Sequence, residues 1–321
     1  MDQKKQTTLA IFLFILVLLG NTVIFSIVPA LSVPDLVAKR GEFSALFGFA
    51  ATEQTLDAFQ ILFLYSVIAT LCMLPWAFKQ GRKGLATTRW KHYSLRAGFE
   101  YTAYALTLTS LGYLGSEFTL PMHTALNFIN PLLATVVTIM VLKEKSYAHT
   151  WVCLAIGFIG VLVITRPGII PASPGVLFVL GAALCFSFCG VVIKLLCSTE
   201  TPMHIAFYML VMTSILGIPM GIAHWQDPTP EVWFWLGVIG LLTYAVQVLV
   251  GKAISKVPYM VIIPLNFVQL VFSTILGYLV YNQLIDKWTL IGAVIILGGT
   301  IYNTLRTRTH VEREMVIAST M

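Results

Sequence analysis

Ten apolar stretches, separated by mostly short polar links, organise the chain. They lie at Thr8–Leu31, Ala58–Phe78, Ala97–Ser116, Thr119–Leu142, Thr150–Ile164, Val176–Ile193, His204–Ala223, Val232–Leu249, Val257–Tyr281 and Trp288–Tyr302. A helix needs about 20 apolar residues to cross about 30 Å of hydrocarbon, and these stretches are of that order. Membrane strands need only about 10 residues and alternate in polarity. These segments run on without alternating, so the pattern predicts helices, whose backbone hydrogen bonds close within each segment.

Composition agrees. The chain has 321 residues, 58% hydrophobic and 11% charged, with a mean hydropathy of +0.85. A soluble domain carries about 25% charged residues. No water-soluble arrangement of this length could hide so much apolar surface, and disorder is excluded on the same ground. The expected fold is an all-α polytopic membrane protein.

Charge sets the expected orientation. Ten spans bring both termini to one side, and with that side cytoplasmic 16 of the 20 lysines and arginines lie on it. Only Lys39, Arg40, Arg166 and Lys287 fall on the other. The net charge of +6 is thus a topology signal rather than a nucleic-acid footprint. The apolar run after Lys4-Lys5 exceeds a signal peptide's usual 7–15 residues, so an uncleaved first span is expected. Cys72, Cys153, Cys185, Cys189 and Cys197 sit in spans or near the inner face, so no structural disulfide is expected. Cys185 and Cys189 share a helix face without acidic or His neighbours, which fits packing better than metal binding.

The chain repeats itself. Leu126-Asn127-Phe128 recurs as Leu265-Asn266-Phe267, 139 residues later, and the same offset carries Thr150 to Thr289, Gly160 to Gly299 and Glu144 to Gln283. Two repeats are expected, 1–168 and 169–304, with 305–321 as a cytoplasmic tail. Five spans per repeat is an odd number, so the second repeat enters the membrane inverted. Ten helices in two inverted five-helix repeats is a transporter architecture, with a site at the interface near the midplane.

Leu126-Asn127-Phe128-Ile129-Asn130-Pro131, Leu142-Lys143-Glu144, Gly157–Leu162 running into Arg166-Pro167-Gly168, Trp225-Gln226-Asp227-Pro228, Gln247 and Pro264–Leu270 occur in order across both repeats. In these motifs the chain resembles the drug/metabolite transporter superfamily, in its ten-helix EamA-type branch, along nearly its whole length. It looks most like the subgroup that includes S-adenosylmethionine transporters of intracellular bacteria. It departs from the family in having no Arg within Gln60–Tyr65, in Gln283 where a Glu is common, and in a long segment between the first two spans. The resemblance implies a multi-pass protein of the bacterial inner membrane that takes up S-adenosylmethionine in exchange for S-adenosylhomocysteine by alternating access. It leaves export of an amino acid or another metabolite as the alternative. The expected partners are a small-molecule substrate and the lipid bilayer, with a homodimer compatible and no nucleic acid. No cofactor or metal is expected.

Intramembrane polar residues are functional candidates by default. Their other role is to join helices, at about 0.6 kcal/mol per hydrogen bond. Glu100 is the sharpest case, because Tyr101–Ser116 alone is too short to span and the third span must take it in. Arg96 lies four residues earlier on the same face. The two residues could cap the span as an ion pair, or Glu100 could face a central cavity and attract a cation or a proton. His123, Asn127 and Asn130 share one face of the fourth span; Asn266, Gln269 and Ser273 repeat the idea in the ninth; Tyr244 and Gln247 lie in the eighth. Each set reads either as substrate-binding amides or as an interhelical ladder. Tyr101 and Tyr104, with Phe186 and Phe188, could line a cavity and hold a sulfonium or ammonium group by cation–π attraction. Pro131, Pro219 and Pro264 interrupt spans. Gly217 and Gly221, and Gly157 with Gly160, are expected at helix contacts.

The sequence lacks a Walker A pattern, a His-Glu-x-x-His pair and a nucleophile triad at recognisable spacing. An ATP-driven pump is therefore not expected, and an intramembrane enzyme is the weaker alternative to a secondary transporter.

Overall fold

The computed structural model describes residues 3–32, 53–114, 126–127, 129–142, 148–165, 174–197, 199–223, 225–254, 268–282, 285–299 and 301–302. The helices are α1 (Gln3–Ser32), α2 (Ala58–Gly84), α3 (Trp90–Leu114), α4 (Asn130–Leu142), α5 (Ala148–Thr165), α6 (Pro174–Cys197), α7 (Pro202–Ala223), α8 (Pro230–Ile254), α9 (Val268–Tyr281) and α10 (Lys287–Gly299). Among the described residues there is no strand. Each helix falls on one of the ten predicted stretches. The first parts of the fourth and ninth stretches, the boundary at 168, the segment 33–52 and the tail 305–321 lie outside the described residues.

The bundle wears its apolar side chains outward. Phe78 is 78% exposed, Met140 and Leu177 are 72% exposed, and Leu279 is 67% exposed. Five helices (α1, α2, α6, α7 and α8) are long and apolar enough to cross a membrane on their own. The third predicted span begins earlier than expected. Helix α3 starts at Trp90, not Ala97, and runs 25 residues. Lys91 and Arg96 interrupt the apolar pattern and conceal its first two turns.

The helix contacts are two-fold symmetric. Numbering helices n and n+5 as equivalents, α1 packs on α8 and α3 on α6; α2 packs on α8 and α7 on α3; α4 packs on α6 and α9 on α1. Each pair is the image of the other. Two contacts map onto themselves. In the first, α2 meets α7: Trp76 lies against His204, with ring centroids 5.4 Å apart, the Thr70 and Ser214 hydroxyls are 3.0 Å apart, and Phe63 lies against Gly217 and Gly221. Residue numbers fall on one helix as they rise on the other, so α2 and α7 run antiparallel. In the second, α5 meets α10. A Cβ added at Gly160 would lie 2.9 Å from the Gly292 carbonyl oxygen and 2.5 Å from Ile296, while one at Gly292 would meet Ile164 at 2.4 Å. This contact is antiparallel too. Equivalent helices therefore run in opposite directions, which makes the fold two inverted five-helix repeats.

Small residues set the separation of both self-symmetric pairs, as expected where lipid removes the hydrophobic drive between helices. At Gly160 the obstruction is backbone, which cannot rotate aside. Gly160→Val should therefore cost about 1–3 kcal/mol through overpacking. Gly98 has open space where a Cβ would go, so Gly98→Ala should be near neutral. Thermal unfolding of the detergent-purified variants checks the contrast.

Candidate functional site

A small cavity opens between α1, α2, α3 and α8. Its wall is mostly apolar, from Ile24, Phe25, Val28 and Pro29 of α1, Leu108 of α3 and Val246 of α8. The polar groups converging on it are Asn21, Tyr65, Tyr104, Thr107, Thr243 and Gln247. Helix α8 comes from the second repeat and the other three from the first, so the cavity lies between the repeats.

Below the cavity an ionic cluster continues down one face of α3. Gln247 Nε2 donates a long hydrogen bond of 3.4 Å to Glu100 Oε1. The other carboxylate oxygen lies 3.2 Å from Arg96 Nη2, and the two side chains are only 7% and 6% exposed. The Cys189 thiol, from α6, donates to the Arg96 carbonyl at 3.6 Å. Tyr104, Glu100 and Arg96 are successive rungs at i, i−4 and i−8. The pair anticipated from the sequence therefore forms, and away from the end of the helix. Glu100 is the eleventh residue of α3's 25, buried in mid-helix.

The sequence-derived candidates separate into groups. Tyr104 and Gln247 line the cavity, and Glu100 joins it through Gln247. Phe186 packs edge-on against Tyr104, centroids 5.4 Å apart, and so backs the wall. Tyr101 is partly buried against the main core. Tyr244 packs beside Ala69, Met73, Ala206 and Leu210 at the α2–α7 contact and is not brought to the cavity. Asn130 Oδ1 accepts a hydrogen bond of 2.9 Å from Ser187, joining α4 to α6. Asn127 and Gln269 are half-buried, outside the cavity lining. His123 and Asn266 lie outside the described residues. Phe188 stacks on Phe99 at 4.7 Å, away from the cavity. Gly217 and Gly221 serve helix contact, as anticipated. Among the described residues no His, Cys, Asp or Glu cluster could hold a metal ion.

Sequence reasoning missed Asn21, Tyr65, Thr107 and Thr243. Two signals were available: Asn21 is the lone amide in Thr8–Leu31, and Thr107 continues the Glu100–Tyr104 face. It also missed two clamps at opposite ends of the bundle. At one end, the Gln60 side chain donates to Gln226 O at 2.6 Å and accepts from Gln226 N at 3.2 Å. Gln54 likewise bonds Asp227 O and Thr229 N, both at 2.8 Å. These amides tie the start of α2 to the α7–α8 link. At the other end, the start of α7 holds the α2–α3 link: His204 Nε2 lies 2.7 Å from Gly84 O, and the Tyr208 hydroxyl donates to Leu85 O. The second clamp is the symmetry image of the first.

An inverted-repeat membrane bundle with a cavity between its halves is an architecture common among transporters. The chain belongs to the EamA-like transporter family, whose model matches residues 41–166 and again 173–305. It is similar to the S-adenosylmethionine uptake transporter of Rickettsia prowazekii (strain Madrid E), 26% identical over 252 residues, 77% of this chain and 83% of that one. It is also similar to the riboflavin transporter of Vibrio cholerae, 25% identical over 272 residues, 84% and 90% of the two chains. The pseudopaline exporter of Pseudomonas aeruginosa is 24% identical over 253 residues, 77% and 86% of the two chains. A solved crystal structure matches with a TM-score of 0.62 at 15% identity, covering 96% of this chain and 99% of the other, which is a likeness of fold. The chain is a membrane transporter of a small molecule, not an enzyme.

Breaking a buried ion pair on one side only leaves an uncompensated charge, at a cost of about 3–5 kcal/mol. Glu100→Ala should therefore destabilise the fold more than the double change of Arg96→Met with Glu100→Leu. Thermal unfolding in detergent of both proteins and the parent measures the difference.

Proposed function

We propose that the chain is a secondary transporter that exchanges S-adenosylmethionine for S-adenosylhomocysteine across the bacterial inner membrane, with both termini cytoplasmic. The observation that carries this reading is the pairing of a buried carboxylate with a tyrosine-lined cavity between the repeats. Glu100 attracts the substrate's positive charge. Tyr65 and Tyr104, both lining the cavity, offer faces for a sulfonium and for stacking a base. Asn21, Thr107, Thr243 and Gln247 offer neutral hydrogen bonds. The Rickettsia relatives support the substrate, and the excess of basic residues in the links on one side supports the orientation.

The two clamps supply the mechanism. Each holds one end of the α2–α7 pair to a link of the opposite repeat. Releasing one while keeping the other opens the cavity to one side only. Because the clamps are symmetry images, the two resulting states are close in energy, and exchange of two similar solutes needs no ion.

The riboflavin and pseudopaline relatives define the competing substrates. Proteoliposomes loaded with S-adenosylhomocysteine should accumulate labelled S-adenosylmethionine, and Glu100→Gln should raise the half-saturating concentration about tenfold or more. Failure to exchange, together with movement of riboflavin or an amino acid, would overturn the substrate and leave the transporter fold intact.

A further inference from the structure

Arg96 is incompletely used. A guanidinium carries five N–H donors. Nη2 meets Glu100 Oε2, but Nε and Nη1 are shielded from solvent and have no hydrogen-bond partner among the described residues. Donors on a buried cation that go unmet are expensive. Glu100 is also underused. A carboxylate offers about four lone-pair positions, and its described partners are Arg96 and, at 3.4 Å, Gln247. The cluster thus holds spare donors and spare acceptor capacity side by side, with its own charges already balanced.

We propose that the Arg96–Glu100–Gln247 cluster is a receptor for the zwitterionic head of an α-amino acid. The substrate's carboxylate docks on the free Arg96 donors and its ammonium on Glu100. This rests on the exchange reading above and deepens it by assigning Arg96 as a specificity residue. Charge balance selects the ligand. A lone anion on Arg96 would leave the cluster net negative in a low-dielectric setting, and a lone cation on Glu100 would leave it net positive. A zwitterion fills both vacant sets at no net charge. Position fits as well: Gln247 belongs to both the cavity wall and the cluster. Tyr104 stands two turns of α3 from Arg96, about 12 Å along the axis. The amino-acid head would therefore lie at the ionic end and the remainder of the substrate at the aromatic end.

The test is equilibrium binding to the purified full-length chain in lipid nanodiscs. Four probes are used: S-adenosylmethionine, its decarboxylated analogue, methionine and riboflavin. The wild-type chain should bind S-adenosylmethionine at least about tenfold more tightly than the decarboxylated analogue. Arg96→Gln should remove that difference. Arg96→Lys, which keeps a cation for Glu100, guards against a folding defect and should weaken carboxylate-bearing probes alone. Carboxylate-dependent binding of methionine, without S-adenosylmethionine, would support the receptor while overturning the exchange reading. Equal binding of the analogue by the wild-type chain, an equal loss of both probes in Arg96→Lys, or binding of riboflavin and no zwitterion would overturn the receptor.

Discussion

Close antiparallel contact between equivalent helices is the constraint on which the rest of the molecule depends. In lipid the apolar surface of a helix is already solvated, so packing and interhelical hydrogen bonds must hold the bundle. At the α2–α7 and α5–α10 contacts the glycines let backbone and side chains approach within distances that a Cβ would forbid. Those contacts sit on the pseudo-two-fold axis. Fixing them fixes the relation of the two repeats, and everything off the axis then occurs twice: α1 on α8 and α3 on α6, one clamp at each end. A bundle built this way has two arrangements related by its own symmetry, which is the energetic condition for alternating exposure of a central site.

The ion pair beside the cavity breaks that symmetry. At the 139-residue offset of the sequence repeat, Tyr104 of α3 is level with Thr243 of α8, Glu100 with Ile239 and Arg96 with Trp235. Tyr104 and Thr243 both line the cavity. The ion pair has no counterpart. One residue beyond the counterpart of Glu100, Gly240 admits Ile68 of α2 at a distance a Cβ would not allow. On the function proposed above, symmetry in the frame equalises two conformations and the asymmetric ion pair gives one solute its place.

Much of the frame was legible in the sequence because membrane spans announce themselves by length and the inversion follows from an odd number of spans. The Leu-Asn-Phe recurrence supplied the offset. Where pattern misled, charge was the reason: Lys91 and Arg96 concealed the first turns of α3. The cavity was only partly legible. Glu100 and Gln247 stand out as polar residues in apolar runs, but Tyr65 and Thr243 look like packing until neighbouring helices turn them inward. Tyr244 matched the sequence criteria for a cavity residue as well as Tyr104 did. Helix rotation decides between them, and rotation is set by partners that one helix's own sequence does not contain. The clamps were invisible because they join glutamines and histidine to backbone carbonyls of remote links.

Alternation of the two ends is the central claim, and paired distance measurement tests it most directly. Spin labels at the exposed positions Ala86 and Thr199 report on the His204 end, and labels at the exposed Glu53 and Gln226 report on the Gln60 end. Pulsed electron resonance on the two doubly labelled proteins in nanodiscs, with and without S-adenosylmethionine, should show one distance lengthening as the other shortens. Two ends that widen together, or a single unchanging distance at each end through a complete transport cycle, would contradict the account.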